Sequence, residues 1–373
     1  MRRALSVMLL TTADHWRGSG ISYAKIARGL LERGHRVSLI VSSDALAAQY
    51  SELGIAAQQL ALRHTGVREV FALHAAAREN DTDVVIVDKP RDVRLAAWVG
   101  LMRPMRTVIR YNRVGGQRRA RFVDRWTASR ASAALYQSEY IRTKALGELP
   151  LLRKLESFVI PNGYDAGAMG STTAPREQWR ASHRIAPGEF VVVSAGFAEA
   201  AKRFDLSVDA LALLGDRGIS ATLVFCGDGP CRAELEERAR MGRVKTLCLG
   251  VQSPADTLST IAAADVLAHP SPVEIFGNVL AEAMALGTPI IAMRSGGNPE
   301  MLGDDCTSSI LLSQGTPETF ATAIAELHAS PERRRALATA ARERIATVFP
   351  LSLMIDRYDA MLQEIVGERT VAS

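Results

Sequence analysis

The sequence predicts an α/β protein made of two doubly wound parallel-sheet domains. Its 373 residues are too many for a single hydrophobic core. Short runs of Val, Ile and Leu alternate with helical patterns from residue 4 to 160, and the alternation restarts at Phe190. A segment rich in Gly, Ala, Ser and Thr, residues 163–174, separates the two halves. Such alternation is typical of parallel strands joined by crossover helices on both faces of a sheet.

The first half has six predicted strands, each a short apolar run bounded by polar or turn-forming residues. They cover residues 5–11, 36–41, 83–87, 107–111, 133–137 and 157–160. The first run follows two arginines and in this respect imitates a signal peptide. However, Asp14-His-Trp-Arg17 comes soon after it and no small-residue cleavage site stands out, so the run is predicted to be a buried strand.

The second half repeats the pattern. Its predicted strands cover residues 190–195, 221–226, 245–249, 266–269, 289–292 and 308–312. Apolar residues recur at helical spacing over 278–286 and Gly287-Thr-Pro289 ends the run, so a helix is predicted there. Further helices are predicted over residues 317–330, 331–348 and, after the break at Pro350, 351–366.

Composition limits the classes of protein that fit. A hydrophobic content of 47% and a mean hydropathy of +0.04 are those of a soluble globular chain. No apolar stretch approaches the roughly 18 residues that span a bilayer. The four cysteines form no CxxC pair and no metal-ligand cluster, which favours a reducing compartment. The expected location is the cytoplasm, either free or peripheral on the cytoplasmic face of a membrane.

The positive charge is concentrated between Arg103 and Arg130. That interval contains nine arginines and a single acid, Asp124, so its net charge is +8. The whole chain has a net charge of +5, so the remainder of the chain carries −3. A helix is predicted over residues 117–129, with Phe122 and Trp126 one turn apart among arginines. This composition favours a helix lying on an anionic membrane surface. The alternative is a solvated face whose two aromatics point into the core. No nucleic-acid-binding motif accompanies the arginines.

Two carboxylates, Glu274 and Glu282, flank the predicted start of the 278–286 helix. Eight residues on a helix span about 12 Å, whereas paired hydrolytic carboxylates lie roughly 5 to 9.5 Å apart, so the spacing disfavours a glycosidase. Separated carboxylates can instead accept hydrogen bonds from hydroxyls at the two ends of an extended ligand. Between them Gly277 lets the backbone approach that ligand, and the amides of the helix start would attract a diphosphate.

Further motifs accompany this pair in a fixed order. Around it stand Pro270-Ser271, the Glu274-x7-Glu282 block with Glu282-Ala-Met284, and Gly296-Gly297-Asn298-Pro-Glu300; before it come Gly18-Ser-Gly20, Val159-Ile-Pro-Asn-Gly163 with Asp165, the stretch from Gly196 to Lys202, and Gly227-Asp-Gly-Pro230. Over nearly the whole chain, this ordered set resembles the retaining GT-B glycosyltransferases of family 4.

The resemblance implies the GT-B fold, with two Rossmann-like domains facing a central cleft. Residues 1–165 would form an acceptor-binding domain, residues 166–350 a nucleotide-sugar-binding domain, and residues 351–373 a helix that returns to the first domain. It also implies transfer with retained anomeric configuration, without a protein nucleophile, a metal or a cofactor beyond the nucleotide-sugar. The sequence Asp81-Thr-Asp83 matches the Asp-x-Asp of metal-dependent transferases, but it precedes a strand instead of following one.

Roles for particular donor-site residues follow from the resemblance. Lys202 would stabilise the negative charge that accumulates on the leaving diphosphate. Glu274 would contact the transferred sugar and Glu282 the ribose. The donor set comprises Gly20, Lys202, Arg203, Gly227, Val251, Glu274, Phe276, Gly277, Asn278, Val279 and Glu282, with Lys202 and Glu274 as the catalytic pair. Phe197 stands where the family places an arginine, and Arg203 is a candidate to restore that charge.

On the acceptor side the sequence departs from the family pattern. The family's histidine after the fourth strand is missing, since the chain reads Arg110-Tyr111-Asn112 there. Arg110 and Asn112 are candidates for an acidic or phosphorylated acceptor, with His15 in the first loop, although an ordinary structural role fits each of them. Gly20 would leave room for a phosphate, but an ordinary turn fits equally.

The expected activity is transfer of a sugar to a lipid-linked, phosphorylated or polysaccharide acceptor in envelope glycoconjugate synthesis. Two alternatives stay open, a non-catalytic membrane-surface or scaffold protein of the same fold and a nucleotide-sugar epimerase. A dinucleotide oxidoreductase is disfavoured because no GxGxxG follows the first strand. No motif in the sequence identifies the donor base, the sugar or the acceptor.

Overall fold

Seven parallel strands form the sheet of the first of two structural units. The computed structural model describes residues 3–13, 18–112 and 122–367. The chain divides into one unit of Met1–Gly163 with Leu351–Ser373, and a second of Tyr164–Pro350. The first sheet has the order β3-β2-β1-β4-β5-β6-β7. Its strands are β1 (Ser6–Thr11), β2 (Arg36–Val41), β3 (Ala57–Gln59), β4 (Val84–Val87), β5 (Arg106–Tyr111), β6 (Ala133–Tyr136) and β7 (Glu156–Val159).

Helices cover both faces of this sheet. They are α1 (Gly18–Glu32), α2 (Asp44–Glu52), α3 (Val67–Glu79), α4 (Pro90–Met102), α5 (Phe122–Ala128) and α6 (Glu139–Glu148). Helix α1 begins at Gly18, so Gly18 and Gly20 lie in its first turn and not in a loop ahead of it, which corrects the sequence-based placement. Of the basic helix predicted over residues 117–129, the described part is α5; residues 113–121, with Arg113, Arg118, Arg119 and Arg121, lie outside the described residues.

The last helix of the chain, α16 (Leu351–Gly367), packs within the first unit. Its buried residues Met354, Ile355, Tyr358 and Leu362 recur at helical spacing and join the core around β1 and α1. A Cβ on Gly29 of α1 would lie only 2.5 Å from Ile355, so the two helices touch closely there.

A buried hydrogen-bond chain also holds α16. The Nδ1 atom of His35 accepts from the Leu5 amide at 3.1 Å, and its Nε2 lies 3.2 Å from the Asp359 carboxylate. Because Nδ1 accepts, Nε2 carries the proton and donates to Asp359. The chain thereby joins β1 to α16.

The second unit contains a six-stranded parallel sheet of order β10-β9-β8-β11-β12-β13. Its strands are β8 (Phe190–Ala195), β9 (Ala221–Cys226), β10 (Lys245–Gly250), β11 (Val266–His269), β12 (Ile290–Met293) and β13 (Ile310–Leu312). Its helices are α7 (Ala166–Ser171), α8 (Arg176–Ser182), α9 (Asp205–Asp216), α10 (Arg232–Met241), α11 (Pro254–Ala263), α12 (Asn278–Leu286), α13 (Asn298–Leu302), α14 (Pro317–Ala329) and α15 (Pro331–Val348).

Both sheets are doubly wound, which confirms the predicted fold class. In the first, the chain moves outward from β1 in one direction and from β4 in the other. In the second, the same divergence occurs between β8 and β11. Loops that follow these neighbouring strands turn away from each other, and the gap between them is where open α/β sheets bind ligands.

Candidate functional site

In the second unit, the loops after β8 and β11 bring Lys202 and Glu274 together. Strand β8 is followed by a short 3₁₀ turn, Ala200–Lys202, and β11 by the loop that carries Glu274. The Lys202 ammonium donates to the Oε1 atom of Glu274. The Nε2 of His269, the last residue of β11, lies 3.0 Å from the same oxygen. Glu274 is therefore held by two partners at the point where the strand order diverges.

Glu274 is only 9% exposed, yet it remains a carboxylate. Burial favours the neutral acid, but the hydrogen bond and electrostatic attraction of His269, followed by those of Lys202, outweigh it and lower the pKa of Glu274 to about 2. The site thus presents a fixed negative group beside a lysine near neutral pH.

Helix α12 begins directly after this loop. Its N-cap, Gly277, adopts a left-handed conformation with φ of 54°, and a Cβ there would lie 2.8 Å from Leu280. The Leu280 amide donates to the Gly277 carbonyl at 3.0 Å, whereas the helix geometry leaves the amides before it without an acceptor within the helix, at the positive end of its dipole. The side chain of Asn278 accepts from the Tyr164 hydroxyl at 2.8 Å, and Phe276 is buried between Tyr164 and Phe349. Main-chain groups, and not the Phe276 side chain, are available to a ligand.

Gly296 and Gly297 pack directly against the backbone of the loop that carries Glu274. The amide of Gly297 donates to the Glu274 carbonyl at 2.8 Å. A Cβ on Gly297 would lie 2.3 Å from the Ile275 carbonyl oxygen, and one on Gly296 would lie 2.7 Å from that of Glu274. No side chain fits at either position without moving the loop, because real Cβ atoms do not approach oxygen that closely.

The predicted base-side loop lies against the loop after β8. A Cβ on Gly227 would lie 1.9 Å from the Gly196 carbonyl oxygen, at a φ of 146°. The Ala198 amide donates to the Asp228 carbonyl at 2.9 Å. Val251, which follows β10, is largely exposed. The loops after β8, β9 and β10 therefore end at one edge of the sheet.

Glu282 lies half-buried on α12. Burial raises the pKa of Cys226, the hydrogen bond with Thr257 lowers it, and the charge of Glu282 raises it further. Cys226 is the last residue of β9, so the charge of Glu282 acts at the carboxyl end of that strand.

Arg203, the candidate to restore the charge missing at Phe197, is paired with a neighbouring acid. Its guanidinium forms a two-pronged ion pair with Asp205 at the start of α9, with nitrogen–oxygen distances of 3.1 and 3.2 Å. The residue itself has a positive φ of 54°, in the left-handed region. The structure thus gives Arg203 a structural partner at the start of α9, and its role in the donor site stays a prediction.

Arg110 is also placed differently from the prediction, because its side chain is fully buried. It donates to the Ser22 hydroxyl at 2.7 Å and approaches the Asn162 amide oxygen at 3.4 Å. Its guanidinium lies 5.5 Å from the centre of the Tyr23 ring. Arg110 therefore ties β5 to α1 and to residue 162 in the core, and its contact with an acceptor stays a prediction. His15 lies outside the described residues.

Asn112 belongs to a polar cluster at the carboxyl edge of the first sheet. It donates to the Asp88 carboxylate at 3.2 Å, and Thr11 donates to the other oxygen of Asp88 at 3.2 Å. Thr12 donates to Asp92 at 2.5 Å. Burial and the nearby charge of Asp88 raise the pKa of Asp92 to about 8, against the hydrogen bonds of Thr12 and Lys89.

Sequence reasoning missed His269, Asp88 and Asp92 as members of these sites. A usable signal existed for two of them. Asp88 directly follows an apolar strand, and His269 ends one, which are the positions where open sheets carry functional side chains. Asp92 lies in the first turn of α4, where only the folded structure shows its burial.

Asp81 and Asp83 lie at the amino end of β4, as the sequence argument requires. Asp83 accepts from the Ser6 amide at 2.8 Å, and Asp81 pairs with Arg103 at 2.7 Å. Within residues 3–13, 18–112 and 122–367, no group of three His, Cys, Asp or Glu side chains is arranged to hold a metal ion. In the same part of the chain, every helix is too short or too polar to cross a membrane.

Two sequence families match consecutive parts of the chain. The family described as Glycosyltransferase Family 4 matches residues 16–167, and the family described as Glycosyl transferases group 1 matches residues 175–344. Together they span nearly all of both units.

Characterised relatives carry the same class of activity in their names. A GDP-mannose-dependent alpha-(1-6)-phosphatidylinositol dimannoside mannosyltransferase of Mycobacterium tuberculosis (strain ATCC 25177 / H37Ra) is 29% identical over 332 residues, which cover 84% of each chain. A D-inositol 3-phosphate glycosyltransferase of Saccharomonospora viridis is 31% identical over 234 residues, or 54% of each chain.

Solved structures share the architecture at low sequence identity. Anabaena Alr3699/HepE, solved in complex with UDP and glucose, superposes with a TM-score of 0.82 at 19% identity, over 96% of this chain and 100% of that one. A sucrose-phosphate synthase of Thermosynechococcus elongatus superposes with a TM-score of 0.75 at 18% identity, over the full length of both chains. With the two family matches in consecutive order and this shared fold, the chain belongs to the GT-B glycosyltransferases, with a family 4 domain followed by a group 1 domain.

Proposed function

We propose that the protein transfers a sugar, with retention of anomeric configuration, from a nucleotide-sugar to an acceptor in envelope glycoconjugate synthesis. The acceptor is lipid-linked, phosphorylated or a polysaccharide. The observation that carries the proposal is the Glu274 carboxylate, held by Lys202 and His269 beside the start of α12. The relatives named for mannosyl and glycosyl transfer, and the neighbour solved with UDP and glucose, support the same reading.

The donor diphosphate is proposed to lie between Lys202 and the amides of residues 276–279. When the bond from the anomeric carbon to the diphosphate breaks, its electrons move to the diphosphate, where negative charge accumulates. A lysine and a helix start stabilise that charge more in the transition state than in the ground state. The acceptor hydroxyl then bonds to the anomeric carbon on the same face, and its proton passes to an oxygen of the leaving phosphate.

Glu274 is proposed to contact the transferred sugar. Its Oε1 atom is occupied by Lys202 and His269, so Oε2 is the oxygen that would accept from a sugar hydroxyl. Lys202 and His269 are proposed to keep the Glu274 carboxylate charged and to hold it with Oε2 toward the sugar. On the acceptor side, Asn112 is the proposed participant that is partly exposed at the carboxyl edge of the first sheet. His15, which lies outside the described residues, stays a candidate.

Glu282 is proposed to accept from the ribose hydroxyls, with Gly227 and Val251 close to the base. A Glu282→Gln variant is expected to weaken nucleoside diphosphate binding by about tenfold or more, since a hydrogen bond to a charged group contributes roughly 1.5–3 kcal/mol. Isothermal titration calorimetry measures this. Glu326→Gln, an exposed position on α14, is the matched control and should bind as the wild type does. Equal affinity in both variants would remove Glu282 from the donor site.

Transfer is proposed to need no metal, because Lys202 and the α12 amides supply positive charge at the diphosphate. Turnover with each of UDP-, GDP- and ADP-sugars should therefore persist after dialysis against EDTA, within about twofold. Activity that disappears and returns with Mg²⁺ or Mn²⁺ would contradict this.

The same donor panel separates the alternative functions. Absence of binding to every nucleotide-sugar would favour the non-catalytic scaffold, and conversion of donor without acceptor would favour an epimerase.

We further propose that the protein works peripherally on the cytoplasmic face of a membrane, where a lipid-linked acceptor is found. The acceptor named for the mycobacterial relative, a phosphatidylinositol dimannoside, supports this location.

A further inference from the structure

Helices α4 and α5 of the first unit expose an unusual concentration of large apolar side chains. We call the α4–α5 face the surface formed by Trp98, Leu101, Met102, Phe122, Val123 and Trp126. Phe122 is 83% exposed, and Leu101 is 50% exposed. The alternative in which both predicted aromatics, Phe122 and Trp126, point into the core is therefore wrong for Phe122.

These side chains form one continuous surface. On α4 the positions 98, 101 and 102 share a helical face, and on α5 so do 122, 123 and 126. The rings of Trp98 and Trp126 are in contact, with centroids 4.9 Å apart. One turn earlier, Arg94 of α4 pairs with Asp124 of α5 at 2.6 Å. These contacts fix the two helices side by side with their apolar faces joined.

The charge around this surface is positive and largely uncompensated. Asp124, the only acid between Arg103 and Arg130, is already paired with Arg94. Arg125 and Arg130 are exposed, and within the described ranges no acid forms a salt bridge with either. Exposed aromatics beside unpaired arginines are the composition of a surface that enters the headgroup region of an anionic bilayer.

A cavity of about 340 Å³ opens next to this face, at the amino ends of β5 and β6. Leu101 and Arg130 line it together with Met105, Arg106 and Ser132. The Nε of Arg106 is buried and, within the described part of the chain, has no hydrogen-bond partner. The Arg106 side chain lines the cavity, and a guanidinium forms strong charge-assisted hydrogen bonds with a phosphate oxygen.

We propose that the α4–α5 face docks the protein onto a bilayer that contains anionic phospholipids. Phe122, Trp98 and Trp126 enter the headgroup boundary, Arg125 and Arg130 face anionic lipids, and the cavity receives one headgroup phosphate beside Arg106. This deepens the proposed membrane location by naming the surface, and it is independent of the transfer chemistry.

A second copy of the chain fits this surface less well. A two-fold dimer places the same patch on both sides of the interface, so Arg125 and Arg130 would meet their own counterparts without an acid between them. Like charges brought together in an interface oppose association, whereas a bilayer of anionic lipids supplies the complementary charge.

The position of the face suits access to a lipid-linked acceptor. Helix α5 leads from the end of β5 toward the start of β6, so Phe122 lies at the end of α5 nearer the carboxyl edge of the sheet. Asn112 and the Asp88 cluster lie at that same edge. A bilayer touching Phe122 is therefore close to the edge at which the acceptor is proposed to bind.

Vesicle flotation tests the proposal with the full-length protein. Vesicles of phosphatidylcholine alone are compared with vesicles containing about a third phosphatidylglycerol. The wild type should bind the anionic vesicles at least tenfold better, and binding should decrease as salt rises. Phe122→Ser with Val123→Ser should abolish binding, and Arg125→Ser with Arg130→Ser should weaken it by roughly 10- to 30-fold. All four positions are exposed, so thermal melting should match the wild type within a few degrees.

Matched controls are taken from exposed positions in the second unit. Arg217→Ser with Arg335→Ser controls for net charge, and Met241→Ser with Val348→Ser controls for exposed apolar area. Both controls should float as the wild type does. Binding that ignores lipid charge, or that the controls reduce as much as the α4–α5 variants, would overturn the proposal. So would a dimer in solution that the Phe122→Ser and Val123→Ser changes dissociate.

Arg106→Gln tests the headgroup cavity separately. The variant should bind phosphatidylglycerol vesicles about three- to tenfold more weakly than the wild type. Soluble glycerol phosphate, at the concentration of phosphatidylglycerol used in the vesicles, should raise the melting temperature of neither the wild type nor the variant. Stabilisation by soluble glycerol phosphate would instead identify a site for a free phosphate compound. Nucleoside diphosphate binding, measured in solution on all these variants, should stay unchanged. If the wild type does not bind nucleoside diphosphates, the proposed activity is refuted, but the flotation result is unaffected.

Discussion

Glu274→Gln is expected to lower kcat/KM by about 10²- to 10³-fold with the fold retained, which is the range for removing one preorganised charged contact from a transition state. Glutamine keeps the shape of the side chain but removes the charge that attracts Lys202 and His269. The sugar then loses a fixed, charged hydrogen-bond acceptor. Steady-state kinetics with a turned-over nucleotide-sugar and acceptor, alongside nucleoside diphosphate titration, measure the effect.

The outcome should separate binding from chemistry. Nucleoside diphosphate affinity should change by less than about threefold, because Glu274 is proposed to contact the sugar and not the nucleotide. A variant within threefold of wild-type kcat/KM would remove Glu274 from the reaction. Loss of nucleoside diphosphate binding together with a lower melting temperature would show that the residue serves the fold.

His269 should behave as one unit with Glu274. Each of Lys202→Met and His269→Asn is expected to reduce kcat/KM. Combining His269→Asn with Glu274→Gln should add little, since His269 is proposed to act through the Glu274 carboxylate, whereas Lys202→Met should lower kcat/KM further because Lys202 is also proposed to contact the diphosphate. The lowered pKa of Glu274 determines the pH range in which its charge stabilises the fold. This contribution to the free energy of unfolding is complete above the usual pKa of 4.5 and is lost as the pH falls toward about 2. Activity near neutral pH should therefore not depend on the titration of Glu274.

Gly297→Ala is expected to lower kcat/KM by about 10²-fold, because a shift of about 1 Å at a reacting group has that cost. The new Cβ would lie 2.3 Å from the Ile275 carbonyl oxygen, so the loop that carries Glu274 must move. The strain is also expected to destabilise the fold by about 1–3 kcal/mol, which is typical of overpacking.

The matched control for this variant is Gly215→Ala. Gly215 lies on α9, and a Cβ there meets nothing within 4 Å. That variant should keep full activity and gain a little stability, because alanine favours a helix over glycine by about 1 kcal/mol. If Gly297→Ala retains wild-type kcat/KM, the loop tolerates the displacement and the proposed geometry of Glu274 is not required for transfer.

Much of the fold could be predicted from sequence because its strands are continuous apolar runs. Strand β8 was predicted with its observed bounds, and so was α12, whose apolar stripe ends at Gly287 in a left-handed conformation. Strand β3, residues Ala57–Gln59, was missed because it is short and largely polar and lies at the edge of the sheet. Nothing in its local sequence distinguishes it from a loop.

The predicted site was partly recoverable for a similar reason. The family resemblance predicts Lys202 and Glu274 in one site, and they meet because the loops after neighbouring parallel strands lie at one edge. The direction of a side chain within such a loop does not follow from that rule. Arg203 follows Lys202 immediately, yet it pairs with Asp205, and Arg110 ends in the core although it stands at the end of a strand.

By itself, the sequence determined the doubly wound α/β class, the family and the order of the motifs, because these depend on local periodicity and on residue spacing. Tertiary structure alone decided which charges are buried, paired or exposed. His269 reaches Glu274, Arg110 is buried and Phe122 is exposed because of packing between segments that are distant along the chain or turned in space. Burial and pairing depend on such packing, and no local pattern of residues encodes it.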